Sequence, residues 1–116
     1  MRKWFRTGRS VMAVAAAWNI FDALLHVAID EIDLLRMAGN AVVLVVTALA
    51  YRPGVPGAMM ASVAAAIVVA LNLAFFIDRG EVPPAAFVLV AVSLVLLGVA
   101  AWRFRAEEHQ IGATYA

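Results

Sequence analysis

Four polar side chains share one face of an otherwise apolar helix near the start of the chain. Asn19, Asp22, His26 and Asp30 recur at spacings of three and four within WNIFDALLHVAID, residues 18–30. At about 100° per residue they cover an arc of roughly 80°. A carboxylate and an imidazole one turn apart can bind a cation or pass a proton. An ionised carboxylate inside a membrane helix costs on the order of 3 kcal/mol, so we expect Asp22 to have a bonded partner or to be protonated.

Further polar residues lie at matching depths on the other apolar segments. Arg36, Asn40 and Thr47 fall within an arc of roughly 40° on a second helix, and Asn72 reaches the same level on a third. Arg36 or Asn40 could pair with Asp22 across the hairpin. Ser93 lies slightly deeper on a fourth helix, and we expect Ser93 and Thr47 to bond back to their own helices.

The alignment by depth predicts one shared polar site in the half of the membrane nearer an acidic turn at residues 30–33. The predicted ligand-binding or proton-binding residues are Asn19, Asp22, His26, Asp30, Arg36, Asn40 and Asn72. The predicted pocket walls are Trp18, Phe21 and Phe75. Each of these residues also has a structural interpretation, as an interhelical bond, a counter-ion or a packing contact.

The composition places these residues in a bilayer. Of the 116 residues, 66% are hydrophobic and only 15% are charged, which is far more apolar than a soluble domain. The charges cluster between apolar runs, which predicts spans at about 11–29, 34–50, 58–77 and 83–102. Residues 1–10 form a basic and aromatic juxtamembrane segment, 11–104 a single membrane domain, and 105–116 a polar cytoplasmic tail. Loops this short predict an all-α up-down-up-down bundle of four transmembrane helices.

The distribution of cations predicts the orientation of this bundle. The terminal segments and the loop at Arg52 carry seven Lys or Arg side chains, whereas the other two loops carry two. By the positive-inside rule both termini face the cytoplasm of a plasma or inner membrane. Trp4, Tyr51 and Trp102 would lie at that same interface, as an aromatic belt requires.

Several classes of site find no support in the sequence. The chain has no cysteine, so thiolate metal sites and a cysteine nucleophile are excluded. His26 with Asp22 or Asp30 supplies too few ligands for zinc or iron, and we expect neither a metal nor another cofactor. A net charge of +1 gives no reason to expect a nucleic-acid partner.

Two partial family resemblances concern the same polar residues. The length and four-span pattern resemble the small multidrug resistance transporters, in which Asp22 would hold the place of the membrane-embedded carboxylate of helix one. That family uses Glu without an accompanying His, and its Gly-rich third span differs from the Gly-free Val63 to Leu71. The segment His26 to Asp30 is similar to the His and acid of the emopamil-binding sterol isomerases. Neither resemblance covers enough of the pattern to assign the chain to a family.

Three functions remain open on these residues. We favour binding or transport of a small molecule or cation coupled to protonation, in a homodimer or with a larger membrane-protein partner, and with pH dependence between about 5 and 8, where histidine titrates. The second is an accessory or structural subunit whose polar stripe docks onto another membrane protein. The third is an intramembrane acid–base enzyme acting on a lipophilic substrate through Asp22 and His26.

Overall fold

The structure, a computed structural model, describes residues 6–28, 34–52, 54–81 and 84–115, with side chains as far as residue 108. It contains four helices: α1 (Gly8–Ala28), α2 (Leu34–Ala50), α3 (Gly57–Arg79) and α4 (Pro84–Tyr115). The described residues form no strand, so the all-helical prediction is confirmed. Trp4 and the predicted site residue Asp30 lie outside the described residues.

Three of the helices are long and apolar enough to cross a membrane: Gly8–Ala28, Gly57–Arg79 and the Pro84–Glu108 part of α4. This finding is consistent with the predicted membrane protein. Helix α2 is apolar as well but has only 17 residues. Its length of about 26 Å lies at the lower limit for a spanning helix.

The helix ends follow local sequence signals. Pro84 begins α4, where its missing N–H would have had no helical partner. Gly80 ends α3 in the left-handed conformation at φ 76°, and its amide donates to the carbonyl of Phe76 at 2.9 Å, a cap that glycine adopts at little cost. Helix α4 continues past the apolar span to Tyr115, because its polar segment from Arg103 to Gln110 contains no helix breaker.

The helices form a ring in which α1 packs against α2 and α4, and α3 packs against the same two helices. Half of the ring's interior is an apolar core. Its fully enclosed members are Val11, Met12, Ala15, Val43, Ala61, Ala64, Leu97 and Ala100. The small side chains of α3 let the helices approach closely, as the alanine-rich sequence predicts.

Phe104 closes the apolar end of the ring against two glycines. A Cβ atom added to Gly8 would lie 2.5 Å from the Phe104 ring, and one added to Gly57 would lie 2.4 Å from it. Beside this contact, Glu107 accepts a hydrogen bond from the amide of Gly8 at 2.7 Å, and Glu108 accepts one from the amide of Ala58 at 3.5 Å. The end of α4 therefore caps the first turns of α1 and α3, where carboxylates are favourable.

Candidate functional site

The other half of the interior is a layer of polar side chains to which all four helices contribute. Asp22 lies six residues before the end of α1, and Asn72 lies seven before the end of α3, so both are about 10 Å from those helix ends. Every member of the layer is less than 9% exposed. Its members are Asn19, Asp22, His26, Arg36, Asn40, Asn72 and Ser93.

An ion pair between α1 and α2 forms the centre of the layer. The Nη2 atom of Arg36 donates to Asp22 Oδ1 at 3.0 Å and to Asp22 Oδ2 at 2.8 Å. The guanidinium also lies over the ring of Phe75, with Cζ 5.7 Å from the centroid. Two opposite charges that are both enclosed neutralise each other, so the pair accounts for an aspartate within an apolar helix.

His26 lies one turn beyond Asp22 and contacts it twice. Its Nδ1 is 2.7 Å from the backbone carbonyl of Asp22 and 3.0 Å from the carboxylate oxygen Oδ1. Both neighbours are acceptors, so Nδ1 carries the hydrogen and donates. Asp22 thus lies between a guanidinium on α2 and an imidazole on its own helix.

Asn19 connects the layer to α4. Its Nδ2 donates to the carbonyl of Ala15 at 2.8 Å and to the hydroxyl of Ser93 at 3.0 Å. This contact joins Ser93 to α1, whereas the sequence predicts a bond from Ser93 back to its own helix. Thr47 does donate to its own helix, at the carbonyl of Val43 at 2.8 Å, and it also reaches the carbonyl of Met12 at 3.3 Å.

The polar layer encloses a small cavity. Its volume of about 10 Å³ is close to the roughly 10–15 Å³ that one water oxygen needs. Two buried polar atoms of lining residues, Asn40 Nδ2 and Asn72 Oδ1, have no hydrogen-bond partner among the described residues. The other amide atom of Asn72, Nδ2, donates to Val68 of its own helix at 2.8 Å, which fixes the amide orientation. The lining consists of Asn19, Asp22, Arg36, Gly39, Asn40, Val68, Asn72, Leu89, Val90 and Ser93.

An apolar groove of about 240 Å³ lies beside this cavity, between α3 and α4. Asn72 and Val90 line both spaces. The groove is open at the surface, where Leu73 is 54% exposed and Phe87 is 60% exposed. Its remaining walls are Val69, Phe76, Ala91 and Leu94. An apolar surface groove and a buried polar cavity therefore meet at the Asn72 side chain.

The three predicted pocket walls lie in different surroundings. Trp18 donates its indole N–H to the carbonyl of Leu89 on α4 at 2.9 Å. Phe21 lies beside Trp18, with ring centroids 5.7 Å apart, and is half exposed. Phe75 is buried under Arg36 and Arg79. The lining of the polar cavity does not include these three aromatic residues.

Of the seven predicted ligand residues, the structure places six in the layer, and only Asp30 lies outside the described residues. Their role in binding stays a prediction. Ser93 and Gly39 also line the cavity but are not among the predicted site residues, although the depth of Ser93 on the fourth helix is a usable signal. Within the described ranges, no three His, Cys, Asp or Glu side chains are grouped so that they could hold a metal ion.

Comparisons with protein-family models, with curated proteins and with solved structures find no match for this chain. The residues and their geometry are therefore the basis for a functional assignment.

Proposed function

We propose that this chain is a membrane protein that binds, and as a transporter moves, a small molecule or cation at its buried polar layer in a manner coupled to protonation. The observation that carries the proposal is the position of Asp22 between Arg36 and His26, with contacts of 2.8 Å and 3.0 Å. A purely structural counter-ion pair would not need an imidazole in contact with the same carboxylate.

The coupling follows from the charges of this cluster. With a neutral imidazole, the charges of Asp22 and Arg36 cancel. Protonation of His26 adds a second cation that competes with Arg36 for the carboxylate, and an uncompensated charge in a membrane interior is costly. The cluster lowers that cost by loosening the Arg36 contact or by releasing a bound cation. Proton uptake and ligand release thereby become linked.

The proposal includes the arrangement of the chain in the membrane. The contacts of Phe104 with Gly8 and Gly57 support an up-down-up-down course. They bring the first residues of α1 and α3 to Phe104, which lies near the C-terminal end of the apolar part of α4. At the same end, Arg9 donates to the carbonyl of Ala50 at 3.2 Å. The positive-inside rule puts this arginine-rich end in the cytoplasm of a plasma or inner membrane.

The active unit is proposed to be a homodimer in the bilayer. The cavity has room for about one oxygen atom, which is too small for a molecule to pass through. A path across the membrane would therefore need a second copy or a conformational change. A larger membrane-protein partner is the alternative source of such a path.

Native mass spectrometry of the protein extracted gently from its own membranes tests the binding step. We expect a homodimer that carries a small molecule, and we expect the bound mass to disappear in Asp22→Asn. A dimer whose bound mass survives this substitution would refute the role of Asp22.

A pH titration in lipid nanodiscs tests the coupling. Trp18 serves as the reporter in a Trp4→Phe, Trp102→Phe background, because its indole bonds to α4 beside the polar cavity. We expect a fluorescence transition between about pH 5 and 8 that His26→Gln and Asp22→Asn abolish. His109→Gln is the matched control, since His26 and His109 are the two histidines of this sequence. A full pH response in Asp22→Asn would overturn the proposal.

The second candidate is a structural or accessory subunit, and one observation favours it. Both carboxylate oxygens of Asp22 already bond to Arg36, as expected if the pair only joins α1 to α2. In that case the native mass spectrum shows a stoichiometric second polypeptide instead of a small molecule. The burial of Asn19, Asp22 and His26 inside the ring counts against the use of these residues as a docking surface.

A further inference from the structure

Asn40 and Asn72 line one cavity from two neighbouring helices. Among the described residues, the donor Nδ2 of Asn40 and the acceptor Oδ1 of Asn72 have no hydrogen-bond partner. Asn40 is 4% exposed and Asn72 is 5% exposed, and an enclosed polar atom without a partner is costly. A hydroxyl group has both complementary functions: its oxygen can accept from Asn40 Nδ2 and its hydrogen can be donated to Asn72 Oδ1. The cavity volume of about 10 Å³ suits one such oxygen.

The charges around the cavity favour a neutral occupant. Asp22 and Arg36 are the charged residues in its lining, and they already neutralise each other at 2.8 Å. A cation placed there would approach the guanidinium, whereas an anion would approach the carboxylate. A neutral group that both donates and accepts avoids either repulsion.

The groove between α3 and α4 supplies space for the rest of such a molecule. Asn72 and Val90 line both the groove and the polar cavity, so the two spaces adjoin at these side chains. The groove walls are apolar apart from Asn72, and the rim residues Leu73 and Phe87 are more than half exposed. An alkyl or isoprenoid chain can enter this groove sideways from lipid while its polar end reaches Asn72.

We propose that the ligand of the polar layer is a lipophilic alcohol, whose hydroxyl binds between Asn40 and Asn72 and whose apolar body lies in the α3–α4 groove. This inference rests on the proposed function, because it names the class of small molecule that the protonation-coupled site takes. It places recognition at Asn40 and Asn72, which are distinct from the Asp22, His26 and Arg36 cluster.

Photo-crosslinking in lipid nanodiscs tests the ligand class. The probes are a dodecanol that carries a diazirine at mid-chain and the corresponding diazirine-dodecane, so they differ only in the hydroxyl. We expect the alcohol to label the groove residues at least fivefold more than the alkane does, and we expect excess 1-dodecanol, but not dodecane, to compete. Equal labelling by both probes would overturn the proposal, since the groove would then be an ordinary lipid-facing surface.

Substitution of the two asparagines tests whether they bind the hydroxyl group of the probe. Asn72→Leu and Asn40→Leu should each reduce the alcohol labelling about tenfold, the loss expected for a desolvated hydrogen bond, while the alkane labelling stays unchanged. Ser62→Ala is the matched control, because Ser62 bonds only to Ala58 of its own helix in the described contacts, away from the cavity. Ala91→Phe leaves both asparagines in place but fills the groove that Ala91 lines, and it should block the alcohol too. Unchanged alcohol labelling in both asparagine variants would refute the assignment.

Repeating the labelling at pH 5.5 and pH 8 separates this inference from the proposed function. A hydroxyl preference that persists without any pH dependence retains the ligand class and refutes the coupling to protonation. A pH response of Trp18 that His26→Gln abolishes, together with equal labelling by alcohol and alkane, retains the coupling and refutes the ligand class.

Discussion

At the scale of single residues, the Asp22 carboxylate depends on Arg36 for its place inside an apolar helix. The two arginines that lie over the Phe75 ring provide a matched comparison, since Cζ is 5.7 Å from the centroid for Arg36 and 5.2 Å for Arg79. Arg36 is buried and ion-paired, whereas Arg79 is exposed. Their aromatic contacts are alike, so a difference between their variants reports the burial and the polar contacts of Arg36, which include the ion pair.

We predict that Arg36→Gln lowers the free energy of unfolding by about 3–5 kcal/mol, because it leaves the Asp22 charge enclosed without its main partner. Arg79→Gln should cost about 1 kcal/mol or less. Chemical unfolding in detergent micelles, followed by far-UV circular dichroism, measures both. The double variant Asp22→Asn, Arg36→Gln should recover part of the loss. Equal effects of the two arginine variants would show that the ion pair contributes nothing to stability.

Asn19 and Asn72 form a second matched comparison. Each donates Nδ2 to the carbonyl four residues earlier, at 2.8 Å. Asn19 also bonds to Ser93, whereas Asn72 Oδ1 has no partner among the described residues. A buried side chain that forms hydrogen bonds with its neighbours raises the free energy of unfolding. A buried acceptor without a hydrogen-bond partner lowers it.

We therefore predict that Asn19→Leu lowers the unfolding free energy of the ligand-free protein by about 1 kcal/mol, while Asn72→Leu leaves it unchanged or raises it. Thermal unfolding in nanodiscs free of added alcohol gives the comparison. An Asn72→Leu protein that gains stability but loses ligand would identify Asn72 as a residue kept for binding. A loss of stability equal to that of Asn19→Leu would contradict this interpretation.

At the scale of helices, the sequence predicts where helices lie better than where they end or how they pair. The predicted span 34–50 coincides with α2, because charges and a proline-rich loop bound it. Helix α4 runs beyond its predicted end at 102 to Tyr115, since hydropathy falls at Arg103 while helix propensity does not. The end of an apolar run is therefore a poor guide to the end of a helix.

The pairing of Asp22 shows what the sequence leaves open at this scale. Depth alignment puts Asn40 level with Asp22 and puts Arg36 one turn nearer the loop, about 6 Å away along the helix axis. The Arg36 side chain spans that distance and forms the ion pair. Side-chain reach and rotamer decide between the two partners, and neither can be read from residue spacing.

The contact of Phe104 with two glycines was not predicted, because it joins residues about 50 and about 100 positions apart. We predict that Gly57→Ala lowers the unfolding free energy by about 1–3 kcal/mol, since its Cβ would lie 2.4 Å from the ring. Gly98→Ala is the control: no described atom lies within 4 Å of its added Cβ, so it should stabilise α4 by up to about 1 kcal/mol.

The compensating variant Phe104→Ala separates the steric effect from helix propensity. In that background Gly57→Ala should cost almost nothing further, because the two substitutions share one contact and are not additive. Chemical unfolding of the unsubstituted protein, Gly57→Ala, Phe104→Ala and the double variant gives the four unfolding free energies of this double-mutant cycle. A full additional loss in the Phe104→Ala background would show that Gly57 is required for another reason.

At the scale of the whole molecule, the ring has two chemically different ends. Arg9 and Tyr51 meet at one end, with Cζ 5.7 Å from the ring centroid, and Glu107 and Glu108 cap helices there. The polar layer lies toward the other end, near Arg79 and Gly80. If the arginine-rich end is cytoplasmic, the layer lies in the outer half of the bilayer, so His26 would sample the pH outside the cytoplasm.

Single cysteines can determine this orientation, because the sequence has no cysteine of its own to give background labelling. We predict that Glu81→Cys reacts with a membrane-impermeant maleimide on intact cells, whereas Thr7→Cys and Val55→Cys react only after permeabilisation. Thr7 and Val55 line one pocket at the arginine-rich end, so cysteines at these two positions should be labelled from the same side of the membrane. Labelling of all three from one side would contradict the up-down-up-down course, and a full reversal would place His26 toward the cytoplasm and invert the direction of the proton gradient that the site senses.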